Sequence, residues 1–221
     1  MRSFTWPDTI SEAKVVQLAL QNKVKITPLQ KTPTYIAGVD ASFPDNHVLA
    51  VACLYRYPAL SLVEETVATR EVSFPYVPGF LSFREGPAII DAIHELTVKP
   101  DIILVDGQGI AHPKGMGIAS HIGVLVGIPT IGCAKSRLVG EFKEPGLRKG
   151  SWSPLQYDGK IVGAVLRTRA HVRPLFVSPG HRVDLKSSIE IVLGCTGNYR
   201  IPEPLRRADL LSKKHQGQIP P

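Results

Sequence analysis

The eight residues IILVDGQG at positions 102–109 limit the choice of fold more than any other part of the chain. Four consecutive apolar residues read as a strand buried on both faces, as strands inside parallel sheets are. The carboxylate at its end, Asp106, is followed by Gly107 and Gly109, which let another molecule approach the backbone. Open α/β sheets place ligands and metals at the carboxyl edges of their strands. A second aspartate, Asp40, lies inside the apolar run YIAGVDA (35–41). An ionised carboxylate in a sheet is costly unless a cation or donor compensates it. Two such aspartates suggest a divalent metal shared between two strands.

At 221 residues the chain can bury one sizeable core, and a single domain over 1–221 is expected, frayed at about 216–221. The net charge of +7 favours polyanionic partners. Cys53, Cys133 and Cys195 are odd in number and sit in apolar sequence, which fits buried thiols in a reducing compartment. The N-terminus lacks the apolar core of a signal peptide, and no apolar run approaches the roughly 20 residues of a membrane span. A cytoplasmic protein with no membrane partner is the expectation.

An amphipathic helix is predicted over 11–24, with Ser11 and Glu12 at its start and Val15, Val16, Leu18 and Ala19 on its apolar side. Strands at 35–42, 48–56 and 61–73, divided by short polar and proline punctuation, form an antiparallel meander. A helix at 88–97, the strand to Asp106, a helix near 116–127 and a strand at 129–135 follow. The turn YDGK (157–160) joins two extended segments that end near Thr168. A strand at 174–177, a helix at 184–193 ended by Gly194 and a basic helix at 203–214 complete the pattern. Three antiparallel strands followed by helix and strand alternation make a mixed α/β fold.

Glu85 is the third carboxylate of interest. In a helix begun near Arg84 it shares a face with Ala and Ile residues that pack on a sheet, which aims it at the sheet edge. Complementing the helix dipole is the bland alternative. Asp40, Glu85 and Asp106 together suit a hard cation, whereas Asp40 alone could be a satisfied core group and Asp106 a turn residue before glycine. Lys135, at a strand end, is placed either to bind phosphate or to be solvated. His112, six residues past Asp106, either lines the site or lies on the surface. Tyr76, between Pro75 and Pro78 and ahead of Gly79, is a stiffly held aromatic that either wedges into a base stack or packs on the core.

Four segments carry a resemblance: PYVPGFLSFREGP (75–87), VDGQGIAHPKGMGIASHIGVLVGIPTIGCAKSRL (105–138), SPGHRVD (178–184) and YRIPEPLRRAD (199–209). From about 35 to 211 the sequence resembles endonuclease V. The resemblance implies a ribonuclease H-like fold whose mixed central sheet begins with three antiparallel strands and is flanked by helices. It implies Mg²⁺-dependent hydrolysis, with Mn²⁺ as a substitute, of the second phosphodiester 3′ to deoxyinosine, leaving a 3′-hydroxyl and a 5′-phosphate. By position, Asp40 and Asp106 are its metal ligands, Glu85 its third acidic residue, Tyr76 its wedge and Lys135 its phosphate contact. Gly79, Leu81, Gly107, Gly109, His112 and Leu138 resemble its hypoxanthine pocket. Many bacterial members have Ala-His where this chain has Ala208 and Asp209, so Asp209 enters the catalytic set as a carboxylate.

Three functions follow in order: a deoxyinosine-directed DNA repair endonuclease acting as a monomer, the same enzyme directed at inosine in single-stranded RNA, and a binding module that Asp209 has cost its metal. Flipping the base out, which costs least for a mispaired base, makes the first physically coherent. The positive surface adds salt-dependent phosphate affinity.

Overall fold

The computed structural model describes residues 4–214. Its strands are β1 (Tyr35–Ser42), β2 (His47–Arg56), β3 (Ser61–Glu71), β4 (Ile102–Val105), β5 (Thr130–Ala134), β6 (Trp152–Tyr157), β7 (Lys160–Leu166) and β8 (Leu175–His181). Its helices are α1 (Ile10–Gln21), α2 (Leu81–His94), α3 (Ile118–Val126), α4 (Leu185–Gly194) and α5 (Glu203–Lys214). The strands form an eight-stranded sheet in the order β3-β2-β1-β4-β5-β8-β7-β6. β1, β4 and β5 are parallel to one another, and the flanking pairs are antiparallel. This is the mixed ribonuclease H-like sheet expected, opened by the predicted meander.

Strand periodicity divides the core. Ala37, Val39, Ile103 and Val105 pack beneath α2 and α3, with Ile89 and Ile122. Ile36, Ile102 and Leu104 face the other way, under α4 and α5, with Val192 and Leu205. The three cysteines are buried and free. Among the described residues no helix is long and apolar enough to cross a membrane.

Several expectations shift. α1 begins with a capping box of Thr9 and Glu12, yet it buries Ala13, Gln17 and Leu20 and leaves Val15 and Leu18 exposed. Of the apolar side read from the sequence, Val16 packs inward beside Phe74 and Phe83, while Val15, Leu18 and Ala19 are exposed, and the hydrogen-bonding Gln17 takes a buried place between Ala13 and Leu20. α2 begins at Leu81 rather than 88, and Pro87 lies inside it. Proline there removes the bond to the Phe83 carbonyl, but burial of Phe83, Ala88 and Ile89 in the same helix outweighs that loss. β8 runs on through Pro179 and Gly180, where a register shift opposite Thr130 and Ile131 absorbs residues that rarely sit mid-strand. Gly194 is the last residue of α4, with Cys195 as its cap. The predicted fraying at 216–221 lies outside the described residues.

Candidate active site

β1 and β4 run in parallel with Val39 opposite Val105, so Asp40 and Asp106 stand side by side at one edge of the sheet. The Asp106 amide donates to the Val39 carbonyl at 3.2 Å. Alternation turns Asp40 to the face of Ile36 and Gly38, the face that α5 covers. α5 can lie so close because residue 38 is glycine: a β-carbon there would overlap the Pro204 carbonyl and the Leu205 amide. That contact delivers Asp209. One oxygen from each of Asp40, Asp106 and Asp209 lies within 4.8 Å of the others.

Side chains then lock the cluster. Lys135 Nζ donates to Asp106 Oδ2 at 2.6 Å and to Asp209 Oδ1 at 2.9 Å. Lys213 donates to the other Asp209 oxygen at 2.7 Å. Ser212 Oγ donates to Asp40 Oδ2 at 3.2 Å, and its carbonyl accepts from Ser42 Oγ at 2.9 Å. Arg200 Nη2 donates to the backbone carbonyls of Lys135 and Pro174 at 2.8 and 2.7 Å, fixing the segment that carries the lysine. Sequence reading passed over Ser212, Lys213 and Arg200. The helical spacing of three and four residues from Asp209 was the available signal for the first two.

The electrostatics are those of a crowded acidic site. Burial, reinforced by the charge of Asp106, raises the Asp40 carboxyl to about 6. Glu85 comes from α2, on the opposite face of the sheet, and stands outside the group of three. It is nonetheless buried and close enough for burial, then Asp40 and Asp106, to raise it to about 8. For Asp209 burial pushes upward, but the bonds from Lys213 and Lys135 prevail and hold it below the ordinary aspartate value. Burial opposes the charge of Lys135, and its bonds to Asp106 and Asp209 override that and raise it.

These residues fit a magnesium-like ion. The converging ligands are carboxylate oxygens, the donors that hard divalent cations prefer. An ammonium already bridges two of them, so the position attracts a cation. Burial first, and the neighbouring carboxylates second, raise Asp40 and Glu85, and a bound cation would favour their ionised forms.

A cleft of about 470 Å³ leads away from this cluster. Asp106 and Lys135 line it, and so do Gly107, Leu81, Gly79, Tyr76, His112 and Leu138. Gly109 is not in the lining; its amide donates to Ser178 Oγ at 2.7 Å. Tyr76 is 71% exposed, so it does not pack on the core. His112 is buried rather than superficial, and burial lowers its pKa to about 4. Its Nδ1 accepts from the Lys114 amide at 3.1 Å, which leaves Nε2 to carry the proton beside Gly79. Gly79 has φ +85°, a conformation that suits glycine alone. Its carbonyl accepts from Gln17 Nε2 at 2.9 Å, a tie from α1 to the cleft that nothing in the sequence pattern announced.

Known proteins share this arrangement of elements. The family model for endonuclease V matches residues 18–210. An endonuclease V of Trichormus variabilis is 52% identical over 211 residues, which cover 94% of this chain and 95% of that one. The crystal structure of the Streptomyces avermitilis endonuclease V is 43% identical, has a TM-score of 0.92, and is matched over 96% of this chain and 95% of its own. The Ciona intestinalis endonuclease V, in complex with a 24mer DNA containing an inosine followed by a ribo-adenosine, is 28% identical with a TM-score of 0.83. The match spans 97% of this chain and 100% of the Ciona chain. The chain belongs to the endonuclease V family.

Proposed function

We propose that the protein is a metal-dependent endonuclease that takes an extruded hypoxanthine from DNA and hydrolyses the second phosphodiester bond 3′ to it, leaving a 3′-hydroxyl and a 5′-phosphate. The observation that carries this reading is one continuous cleft joining a three-carboxylate cluster to a glycine-edged pocket, with Asp106 and Lys135 in its lining. The inosine-containing DNA held by the Ciona relative supports it.

A stacked base cannot enter such a pocket, so it must leave the duplex, and a poorly paired base leaves at least cost. Tyr76, exposed on a segment stiffened by Pro75 and Pro78, fills the gap. The backbone of Gly79 and Gly107 and the Nε2 proton of His112 meet the base edge, with Leu81 and Leu138 against its faces. Asp40, Asp106 and Asp209 would hold Mg²⁺ or Mn²⁺, with Glu85 behind them. The ion, when bound, supplies an activated water and stabilises the leaving oxygen. Lys135 neutralises the phosphate at the nick. Lys213 keeps Asp209 ionised and turned towards the cluster. Every one of these groups comes from one chain, so we expect a monomer to suffice, working on damaged DNA in the cytoplasm.

The ribo-adenosine after the inosine in the Ciona complex keeps inosine-containing RNA as a second reading. A labelled duplex with one deoxyinosine, in Mg²⁺ or EDTA and beside an adenine control, tests the first. The expected product is a single Mg²⁺-dependent nick one nucleotide beyond the inosine. Faster cleavage of a matched RNA strand would move the substrate to RNA. No cleavage of either by folded protein would refute the reading.

A further inference from the structure

Beside the cleft lies a second hollow, of about 540 Å³. It shares Pro78, Gly79, His112 and Leu138 with the first and is bounded elsewhere by α1, through Gln17 and Leu18. The partition is thin: the Gly79 carbonyl that Gln17 holds belongs to a residue lining both. Leu18 is 63% exposed at this hollow, on the helix face that the rest of the fold leaves uncovered. Phe80 and Pro113 extend the apolar lining. The charged side chains in it are Lys14 and Lys114, and no acidic residue contributes.

We propose that this hollow is a second nucleotide subsite, occupied by the base immediately 5′ to the inosine, with Lys14 and Lys114 on the adjoining phosphates. The inference rests on the reading of the cleft given above. Apolar walls with cations beside them suit a nucleobase attached to a phosphate backbone, whatever the base, because every base has a face to stack. Continuity with the first cleft makes the ligand part of the same strand. Polarity follows from the acidic cluster. The bond to be cut lies 3′ to the inosine, and Asp106 and Lys135 line the first cleft alone. A strand whose 3′ side lies over the cluster leaves the pocket past Gly79 and His112 on its 5′ side. Hydrogen bonding of Gln17 to Gly79 links the two subsites, so filling one steadies the wall of the other.

Two perturbations tested singly and together decide the matter. Single-stranded inosine oligonucleotides are prepared with normal neighbours or with an abasic nucleotide 5′ or 3′ to the inosine, and nicking in Mg²⁺ is measured for the wild type and for Leu18→Ser. The exposure of Leu18 leaves folding intact, and circular dichroism verifies it. The abasic neighbour is expected to raise the wild-type KM about fivefold with kcat little changed, the scale of one lost stacking contact. Leu18→Ser should raise KM similarly on the normal strand and show less than about a twofold further loss on the abasic one, since both remove the same contact. Equal sensitivity of the two proteins, or a coupling seen only when the 3′ neighbour lacks its base, would overturn the proposal. Failure of the wild type to nick any inosine strand would remove the reading beneath it and the subsite together.

Discussion

At one end of the cleft Asp40, Asp106 and Asp209 ride on or directly beside β1, β4 and α5, elements packed through the middle of the sheet. At the other end Tyr76, Gly79, His112 and Leu138 ride on connecting loops, steadied by single bonds such as Gln17 to Gly79. Carboxylates that share a cation must keep their spacing against mutual repulsion, and paired strands supply that stiffness. A pocket that reads a base edge needs backbone groups turned outward, which regular elements consume in their own hydrogen bonds. Damage at the acidic end should therefore stop the chemistry, while damage at the loop end should weaken recognition.

The largest effect falls on the shared edge. Asp106→Ala removes a carboxylate that also anchors Lys135, and nicking should drop by at least about a thousandfold. Binding of an inosine duplex, read by gel shift, should survive within about threefold, because most affinity comes from phosphate contacts elsewhere. Loss of both together would erase the distinction between the two ends.

Next comes a residue that touches neither metal nor nucleic acid. Gly38→Ala forces α5 off β1, since its β-carbon would overlap the Pro204 carbonyl and the Leu205 amide. A displacement near 1 Å of a reacting group costs on the order of a hundredfold in rate. Overpacking also costs about 1–3 kcal/mol, seen as a thermal midpoint several degrees lower. Wild-type nicking and melting in this variant would show that Asp209 does not depend on how α5 is seated.

The two ends also differed in how far the sequence disclosed them. Asp40 and Asp106 were legible because a charge inside an apolar run has few physical excuses, and strand order made them neighbours. Glu85 was correctly aimed at the sheet, but its separation from the other three depends on which face of the sheet each residue takes. Gly38 is not legible as a site residue, and Ser212 only through its helical spacing from Asp209: their importance lies in how α5 meets β1, a contact between segments more than 160 residues apart. At the loop end the apolar side of α1 is legible only at Val16, which packs inward; Leu18 is exposed and Gln17 is buried for a hydrogen bond, which hydrophobic periodicity does not report. Placing Leu18 on the packed side concealed the hollow beside it.

A smaller effect should come from Glu85, and it depends on pH. Its folded-state pKa of about 8 lies above the ordinary value of 4.5, so the metal-free native state binds more protons than the unfolded chain across that window. Stability from this group is then fully present below about 4.5 and is lost as pH rises through about 8. Glu85→Gln abolishes the titration. Without metal the variant should melt several degrees above the wild type at pH 8.5 and level with it near pH 5. Mg²⁺ should narrow the gap at high pH by compensating the charge that burial opposes. Nicking by the variant should fall about tenfold or more. Identical melting at pH 8.5 would mean that Glu85 is not held uncharged by its surroundings.

Tyr76 gives the smallest effect and tests the loop end alone. The side chain is 71% exposed and touches none of the acidic cluster, so Tyr76→Ala should melt within about 1 °C of the wild type. If the ring fills the gap left by an extruded base, its loss matters only where there is a stack to hold open. On an inosine duplex the rate should fall about tenfold, on the scale of one lost stacking contact. On a single strand carrying the same inosine it should change by less than about twofold, since no partner base competes for the gap. Equal losses on both substrates would place the ring against the extruded base itself and make Tyr76 a wall of the pocket, and the loop end would then recognise the lesion without help from a wedge.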